Sequence, residues 1–197
     1  MQVGIFGGSF NPPHVAHLIV AETLREAFDL DRVLWIPSRR PPHKPEDSLV
    51  APEHRLNMVR LATEGNPFFE VSEIELRRDA VSYTVDTVRA LQEARPADTF
   101  HLLIGGDSLR DFGAWRHPDE IVRRVPLIVY RRPGAGPGSV PSFAADRTRF
   151  AEAPLLEVSG TQIRARCRAG RSIRYLVPEP VRAYIEANRL YAGAPAA

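Results

Sequence analysis

Residues 4–17 decide the fold of this chain and read GIFGGSFNPPHVAH. A short apolar strand runs into Gly7 and Gly8, whose missing Cβ lets a ligand approach the backbone closely. Two prolines follow and suit the entry to a helix, where a missing N–H costs little. The start of that helix offers unpaired N–H groups and a positive dipole end, and both favour phosphate. The stretch therefore predicts a phosphate-binding strand–turn–helix unit, and the competing interpretation is an ordinary turn.

Two histidines stand at the start of the predicted helix. His14 and His17 are three residues apart, so they share one helix face. Both rings can donate hydrogen bonds to phosphate oxygens. A lone histidine carries little information, but a pair directly behind a Gly-Gly turn strengthens the prediction of a phosphate site.

The composition excludes several classes of protein. The chain has 197 residues, 44% of them hydrophobic and 25% charged, with a formal net charge of +2. This is typical of a globular protein, and the low charge argues against a nucleic-acid partner. The single cysteine excludes an internal disulfide and a cysteine zinc cluster, and we find no apolar run long enough for a membrane helix. We expect a cytoplasmic protein with one domain over residues 1–192 and a disordered tail over residues 193–197.

Short apolar runs alternate with helical patterns along the chain. The strand candidates are Gln2–Phe6, Arg32–Pro37, Glu70–Ile74, Phe100–Ile104, Leu127–Tyr130 and Leu155–Val158. The helix candidates are Val15–Phe28, a helix from Pro52, Tyr83–Ala94, Asp119–Arg124, Thr161–Arg168 and Glu179–Asn188. The alternation predicts an α/β fold: a Rossmann-like, doubly wound parallel sheet with helices on both faces and a small helical C-terminal part. Ser38–Ala51 and Arg132–Arg149 are predicted as loops because proline or glycine punctuates both.

Polar groups follow the second and fourth predicted strands, at the sheet edge where such folds bind ligands. Lys44, the only lysine, lies in a basic loop together with Arg39 and Arg40, and these cations can meet phosphate. Gly105 allows close backbone approach, and the Asp107 carboxylate can accept hydrogen bonds from ribose hydroxyls. Taken singly, the two segments have plainer interpretations, a solvated basic loop and a helix cap.

Two more helix starts are candidates for anion binding. Ser159 and Thr161 are good cap residues, and Arg164 follows in the first turn of the same helix. The second start is Ser82-Tyr83-Thr84, where free amides beside Thr84 can hold a small carboxylate. Several helix starts with cations on one sheet predict a polyphosphate ligand rather than a single phosphate.

Trp115 and the motifs that are absent narrow the chemistry further. Trp115 can stack on a flat ring, although a core tryptophan is the competing interpretation. The sequence has no P-loop, no Gly-x-Gly-x-x-Gly after the first strand and no Gly-x-Ser-x-Gly elbow. No residue is an obvious covalent nucleophile. P-loop, hydride-transfer and serine-hydrolase chemistry are therefore disfavoured.

Six sequence blocks in this order resemble the nucleotidyltransferases with an HxGH signature, most of all the bacterial nicotinate-nucleotide adenylyltransferase family. The blocks are GGSFNPPHVAH (7–17), WIPSRRPPHK (35–44), SYTVDT (82–87), LLIGGDSL (102–109), VYRRPG (129–134) and VSGTQIRAR (158–166). The resemblance covers nearly the whole chain and is specific because several spaced blocks agree.

The resemblance implies adenylyl transfer from ATP to nicotinate mononucleotide, with release of pyrophosphate, in NAD biosynthesis. It implies catalytic roles for His14, His17, Lys44 and Arg164, ATP binding by Gly7, Gly8, Ser9, Phe10, Gly105, Asp107, Ser159 and Thr161, and mononucleotide binding by Ser82, Tyr83, Thr84 and Trp115. Mg²⁺ is expected on the ATP phosphates, with no metal site built by protein side chains. The oligomeric state stays open, with a homo-oligomer among the options.

Two positions depart from the family pattern. Ala16 stands where the HxGH block has glycine, and Gly160 stands where the last block often has a second serine. Neither change removes a charged group, so the activity is still expected. The alternatives are another acceptor, namely nicotinamide mononucleotide, phosphopantetheine or a cytidylyl acceptor, or a non-catalytic nucleotide-binding module on the same fold.

Overall fold

A computed structural model describes residues 1–42, 48–130, 140–154 and 156–192. The elements are β1 (Gln2–Gly8), α1 (Val15–Ala27), β2 (Arg32–Pro37), α2 (Pro52–Thr63), β3 (Phe69–Val71), α3 (Thr84–Ala94), β4 (Thr99–Gly105), α4 (Gly106–Arg110), α5 (Pro118–Arg124), β5 (Leu127–Tyr130), β6 (Thr148–Ala151), α6 (Gly160–Arg168) and α7 (Glu179–Ala187), with 3₁₀ turns at Phe112–Ala114 and Ser142–Arg147.

The strands within the described residues form one parallel sheet in the order β3-β2-β1-β4-β5-β6. The chain winds outward from β1 to β3 and then crosses to β4 on the other side of β1. This reversal opens a crevice between the carboxyl ends of β1 and β4, where folds of this kind bind ligands. The prediction of a doubly wound parallel sheet is confirmed.

Helices cover both faces of the sheet because successive strand residues alternate between two cores. Ile5 and Leu34 pack on one face beneath α3 and α5. Phe6 and Trp35, their neighbours in sequence, pack on the other face with α1 and with Val59 of α2. The central strands are thus buried on both sides, which explains why they read as continuous apolar runs.

The C-terminal helices form a third, smaller core against α2. Ile163 of α6 packs with Val181 and Ile185 of α7, and this group meets Met58 and Ala62 on α2. The segment between the two helices also reaches α1, since the N–H of Val15 donates to the carbonyl of Leu176 at 3.0 Å. The small helical C-terminal part is confirmed, and it closes over the start of α1.

The sixth strand was predicted wrongly. Residues 156–158 of the candidate Leu155–Val158 form no strand, and β6 lies at Thr148–Ala151 instead. This strand and the 3₁₀ turn before it also contradict the prediction of an unstructured loop over Arg132–Arg149, of which residues 132–139 lie outside the described residues. The reason is that β6 is an edge strand with Arg149 and Phe150 exposed, so it lacks the buried apolar run that marks the central strands.

Two smaller differences concern the other elements. The helix α4 was not predicted because its Gly106-Asp107 start resembles a turn. The third strand is shorter than the candidate Glu70–Ile74 and begins one residue earlier. The tail over residues 193–197 lies outside the described part of the chain.

Candidate active site

One large cavity lies at the carboxyl edge of the sheet, where β1 and β4 diverge. Its volume is about 1410 Å³, and its walls come from the β1–α1 turn, α4 with the turn behind it, and the start of α6. Of the sequence-predicted residues, it is lined by Gly7, Gly8, Ser9, Phe10, His14, His17, Asp107, Trp115, Ser159, Thr161 and Arg164. Residues that are far apart in sequence therefore meet in one space.

The β1–α1 turn is supported from below by an aromatic ring. Phe10 has a positive φ of 45°, and its buried ring packs on Phe6 and Trp35 with centroid separations of 5.9 and 5.3 Å. A Cβ on Gly8 would lie 3.1 Å from this ring, whereas a Cβ on Gly7 would meet no protein atom within 4 Å. Glycine at position 8 thus serves the packing, and the space above Gly7 belongs to the cavity.

The two histidines form a stacked pair at the start of α1. Their ring centroids are 3.6 Å apart with an interplanar angle of 24°. The backbone N–H of His14 donates to Nδ1 of His17 at 3.2 Å. Because Nδ1 of His17 accepts, the ring proton of its neutral form resides on Nε2.

The start of α6 presents a cation to the same cavity. Arg164 donates to the backbone carbonyl of Asn11 at 2.8 Å and to Oγ1 of Thr161 at 3.3 Å. Among the described residues, no carboxylate lies within 4.0 Å of its guanidinium. Ser159 caps the helix by accepting the N–H of Gln162 at 3.2 Å. The helix start therefore combines free amides with a positive charge that no described acidic group neutralises.

The two departures from the family pattern both lie at this cavity. Ala16 is buried in α1 and lines the cavity beside the histidines. A Cβ on Gly160 would lie 3.0 Å from the carbonyl oxygen of Asn11 and 3.2 Å from a terminal nitrogen of Arg164. Glycine at position 160 therefore leaves room for the close contact between Arg164 and Asn11.

Asn11 is a site residue that the sequence prediction missed. Its side chain is buried, with Nδ2 donating to the carbonyl of Ser48 at 3.1 Å. Its Oδ1 accepts the N–H of Val50 at 3.3 Å and the hydroxyl of Tyr191 at 2.8 Å. Burial raises the pKa of the Tyr191 hydroxyl, which keeps it a neutral donor. The Asn-Pro-Pro segment signals a turn, but nothing in it shows that the asparagine joins three distant segments.

Several predicted residues are not brought to the cavity. Gly105 ends β4 and caps α4, but it does not line the cavity. The Arg39 guanidinium donates to the carbonyl of Leu76 at 2.8 Å and pairs with Asp79 at 3.3 Å, so this arginine is already engaged. Lys44 lies outside the described residues.

The predicted mononucleotide residues at the start of α3 also lie off the cavity wall. The Oγ of Ser82 accepts the backbone N–H of Arg39 at 3.0 Å, so Ser82 fastens α3 to the basic loop. Tyr83 precedes α3, and the Arg116 guanidinium lies 4.7 Å from the centre of its ring. Since Arg116 follows Trp115, the start of α3 with Thr84 adjoins the side of the cavity where Trp115 stands.

The described residues contain no group of three or more His, Cys, Asp or Glu side chains arranged to hold a metal ion. No helix among them has the length and apolar character needed to cross a membrane.

Known proteins match this chain over nearly its whole length. The cytidylyltransferase-like family matches residues 5–166. A protein of Salinibacter ruber, named “Probable nicotinate-nucleotide adenylyltransferase”, is 59% identical over 192 residues that cover 97% of this chain and 98% of the relative. A protein of the same name from Geobacter metallireducens is 44% identical over 212 residues, covering 97% of this chain and 98% of the relative.

A solved structure shares the fold. Nicotinic acid mononucleotide adenylyltransferase of Plasmodium falciparum, complexed with NaAD, matches with a TM-score of 0.79 at 19% identity, over 96% of this chain and 97% of that chain. This structure shows the shared fold, and the family match with the identity of the two bacterial relatives shows the family. The chain belongs to the cytidylyltransferase-like family and, within it, to the nicotinate-nucleotide adenylyltransferases.

Proposed function

We propose that the protein joins ATP and nicotinate mononucleotide to give nicotinate adenine dinucleotide and pyrophosphate. An oxygen of the 5′-phosphate of nicotinate mononucleotide attacks the α-phosphorus of ATP. A new P–O bond forms while the bond from the α-phosphorus to the bridging oxygen breaks, and pyrophosphate leaves with that electron pair. The names of the relatives support this reaction, and so does the complex of the Plasmodium falciparum enzyme with NaAD.

The observation that carries the proposal is the convergence of two helix starts on one cavity at the sheet reversal. The start of α1 brings the His14–His17 pair, and the start of α6 brings Arg164. Helix N-termini and cations favour phosphate groups. A cavity of about 1410 Å³ has room for both substrates, since a pocket for one small ligand measures roughly 300–1,000 Å³.

The chemistry needs positioning and charge stabilisation rather than a base. The attacking phosphate is already an anion at neutral pH, so no proton has to be removed from it. The charge that builds on the leaving pyrophosphate needs fixed donors, as in other phosphoryl transfers. In this proposal His17 donates from Nε2, and Arg164 and the free amides of α6 hold the β- and γ-phosphates. Lys44 is proposed to reach the phosphates from the basic loop.

The remaining predicted residues take the rest of the two substrates. Asp107 is proposed to hold a ribose of ATP. Trp115 is proposed to stack on the pyridine ring, with the carboxylate of that ring held by amides beside Thr84. The resulting preference for the acid over the amide mononucleotide is part of the proposal.

The metal enters with the substrate. Mg²⁺ prefers several waters and phosphate oxygens over an all-protein cage. We therefore propose that the ion arrives as part of MgATP. We further propose that residues 1–192 act as one nucleotidyltransferase domain in the cytoplasm.

The test is turnover of the purified chain with MgATP and either nicotinate or nicotinamide mononucleotide, with dinucleotide measured by chromatography and pyrophosphate by a coupled assay. Faster formation of the acid dinucleotide is expected. Preference for the amide would contradict the substrate assignment. ATP binding without pyrophosphate release from any mononucleotide would instead favour a non-catalytic module.

A further inference from the structure

Arg55 is a buried arginine beneath the phosphate-binding turn. It lies in the first turn of α2 and is 1% exposed. Its guanidinium and Nε donate to four backbone carbonyls, those of Ser9 at 3.0 Å, Ser38 at 2.5 Å, Arg39 at 3.0 Å and Val50 at 3.1 Å. One side chain thus joins backbone from three separate parts of the chain.

The positive charge of Arg55 interacts with Glu53 and Glu75 through space, but it forms no ion pair among the described residues. Among the described residues, no carboxylate lies within 4.0 Å of the guanidinium. Burial lowers the pKa of Arg55, but an arginine keeps its proton at any physiological pH. A buried cation paired only with neutral carbonyls is costly for folding. Such a group is more typical of a functional constraint than of a stabilising one.

The four carbonyls belong to the segments that flank the cavity. Ser9 lies in the turn after β1 and lines the cavity. Ser38 and Arg39 begin the basic loop after β2, and Val50 ends it. A further bond from the N–H of Ser38 to the carbonyl of Gly8, at 2.9 Å, runs between the same two segments. Arg55 therefore sets the separation of the phosphate turn and both ends of the basic loop.

The bond to Ser9 also orients the next amide. The carbonyl and N–H of a planar trans peptide point in opposite directions. Because the Ser9 carbonyl points to Arg55, the N–H of Phe10 points away from Arg55. That N–H has no backbone acceptor among the described residues, and Phe10 lines the cavity. The amide is thereby left available to an anion.

We propose that Arg55 is a positioning residue for the polyphosphate of ATP. It fixes the peptide between Ser9 and Phe10 with the N–H toward the ligand, holds the two ends of the basic loop against the turn, and places a positive charge beneath both. This inference rests on the proposed function for the identity of the ligand. A lysine keeps the charge but cannot donate to four carbonyls with a planar fork, so the conservative replacement separates the two contributions.

The experiment compares Arg55→Lys, Arg55→Met and Met58→Ala with the unmodified protein. Met58 lies on the same helix and is fully buried, but it packs in the C-terminal core and does not line the cavity. Its truncation serves as the control for loss of stability alone. For each protein, kcat, KM for ATP and the rise in Tm caused by MgATP are measured well below the Tm. Hydrogen exchange of peptides covering residues 4–12 and 36–42 is measured as well.

We expect kcat/KM for ATP to fall about a hundredfold in Arg55→Met, the scale of a misplaced site, and about tenfold in Arg55→Lys. The MgATP-induced rise in Tm should be smaller in both variants, and smallest in Arg55→Met. Hydrogen exchange in both peptides should be faster. Met58→Ala should lower Tm with KM and exchange in these peptides unchanged. The inference is overturned if both Arg55 variants keep the KM, kcat and ATP-induced rise of the unmodified protein.

Two other outcomes are also decisive. An insoluble Arg55→Lys beside a folded Met58→Ala would assign Arg55 to stability alone and would overturn the inference. An unmodified protein that binds MgATP but forms no dinucleotide would overturn the proposed function. The Arg55 comparison would then still be readable from the ATP-induced rise in Tm and from hydrogen exchange.

Discussion

The starts of α1 and α6 face the same cavity but are held in different ways. The turn before α1 is part of the core, because Phe10 packs on Phe6 and Trp35 and the carbonyl of Ser9 bonds to buried Arg55. By contrast, α6 contributes a single buried residue, Ile163. The α1 wall, the fixed wall, is therefore held by extensive packing. The α6 wall, the tethered wall, is held by one buried side chain and by hydrogen bonds.

Because the two walls are held differently, we expect them to contribute to different steps of the reaction. A preorganised group contributes most where charge develops during the reaction, because it needs no reorganisation at that moment. A tethered wall contributes by holding the substrate once it is bound. Changes at α1 should therefore act mainly on kcat, and changes at α6 mainly on KM for ATP.

The largest effect is expected for His17→Ala. The variant loses the Nε2 donor on the fixed wall, and kcat should fall about a hundredfold or more, the scale of removing one charge-stabilising donor. His54→Ala is the matched control, because His54 hydrogen-bonds Tyr184 at 2.9 Å outside the cavity. Steady-state kinetics of dinucleotide formation measures both. A kcat near that of the unmodified protein in His17→Ala would break the assignment of chemistry to the α1 wall.

Arg164→Met should have the next largest effect, and this effect should fall on KM for ATP rather than on kcat. The tethered wall loses its cation, so KM for ATP should rise about tenfold, the scale of one charged hydrogen bond, with a smaller change in kcat. Arg166→Met is the control on the same helix, since Arg166 donates to the carbonyl of Ser172 and does not line the cavity. If kcat fell alone and KM stayed constant, the division of work between the walls would be wrong.

Gly160→Ala tests how closely α6 must approach the turn. The added methyl would lie 3.0 Å from the carbonyl oxygen of Asn11, so it should lengthen the bond between Arg164 and that carbonyl. We expect KM for ATP to rise severalfold with kcat nearly constant. Gly113→Ala is the control, because a Cβ there meets no protein atom within 4 Å. An unchanged KM in Gly160→Ala would show that α6 can shift without cost.

The sequence predicted the central sheet well because its signal is local. Arg32–Pro37 and Leu127–Tyr130 match β2 and β5 at both ends, since strands covered on both faces must read as apolar runs. The edge strand β6 has no such constraint on its exposed residues, and it was missed. The candidate Leu155–Val158 is largely apolar, but within the described residues 156–158 pair with no strand, and apolar character alone does not show that.

The site residues differ in the same way, because local sequence could predict some of them and not others. The position of Gly7, Gly8, His14 and His17 at the cavity could be predicted because they lie together in one short stretch after β1. The contacts of Asn11 and Arg55 could not, because most of their partners are backbone groups from distant segments. Every residue carries such groups, so their involvement leaves no mark on the sequence.

The smallest effect is expected far from both walls, at the ion pairs that join α3 to α5. Glu120 accepts hydrogen bonds from Arg89 at 2.6 Å and from Arg124 at 2.8 Å. These arginines lower the pKa of Glu120 from its ordinary 4.5 to about 2. Because the folded-state pKa lies below the unfolded one, this contribution to stability is complete above pH 4.5 and disappears as the pH falls toward about 2.

Glu120→Gln should therefore lower the Tm slightly at pH 7, as is usual for exposed ion pairs. The difference from the unmodified protein should narrow between about pH 4.5 and pH 2, as followed by thermal melts across that range. Both kcat and KM for ATP should stay unchanged, because Glu120 does not line the cavity. A difference in Tm that stayed constant down to pH 2 would rule out the ion pairs as its cause. A change in KM for ATP would show that α3 and α5 also influence the cavity. The comparison would then be between α6 and the sheet with its covering helices, not between α6 and the turn before α1 alone.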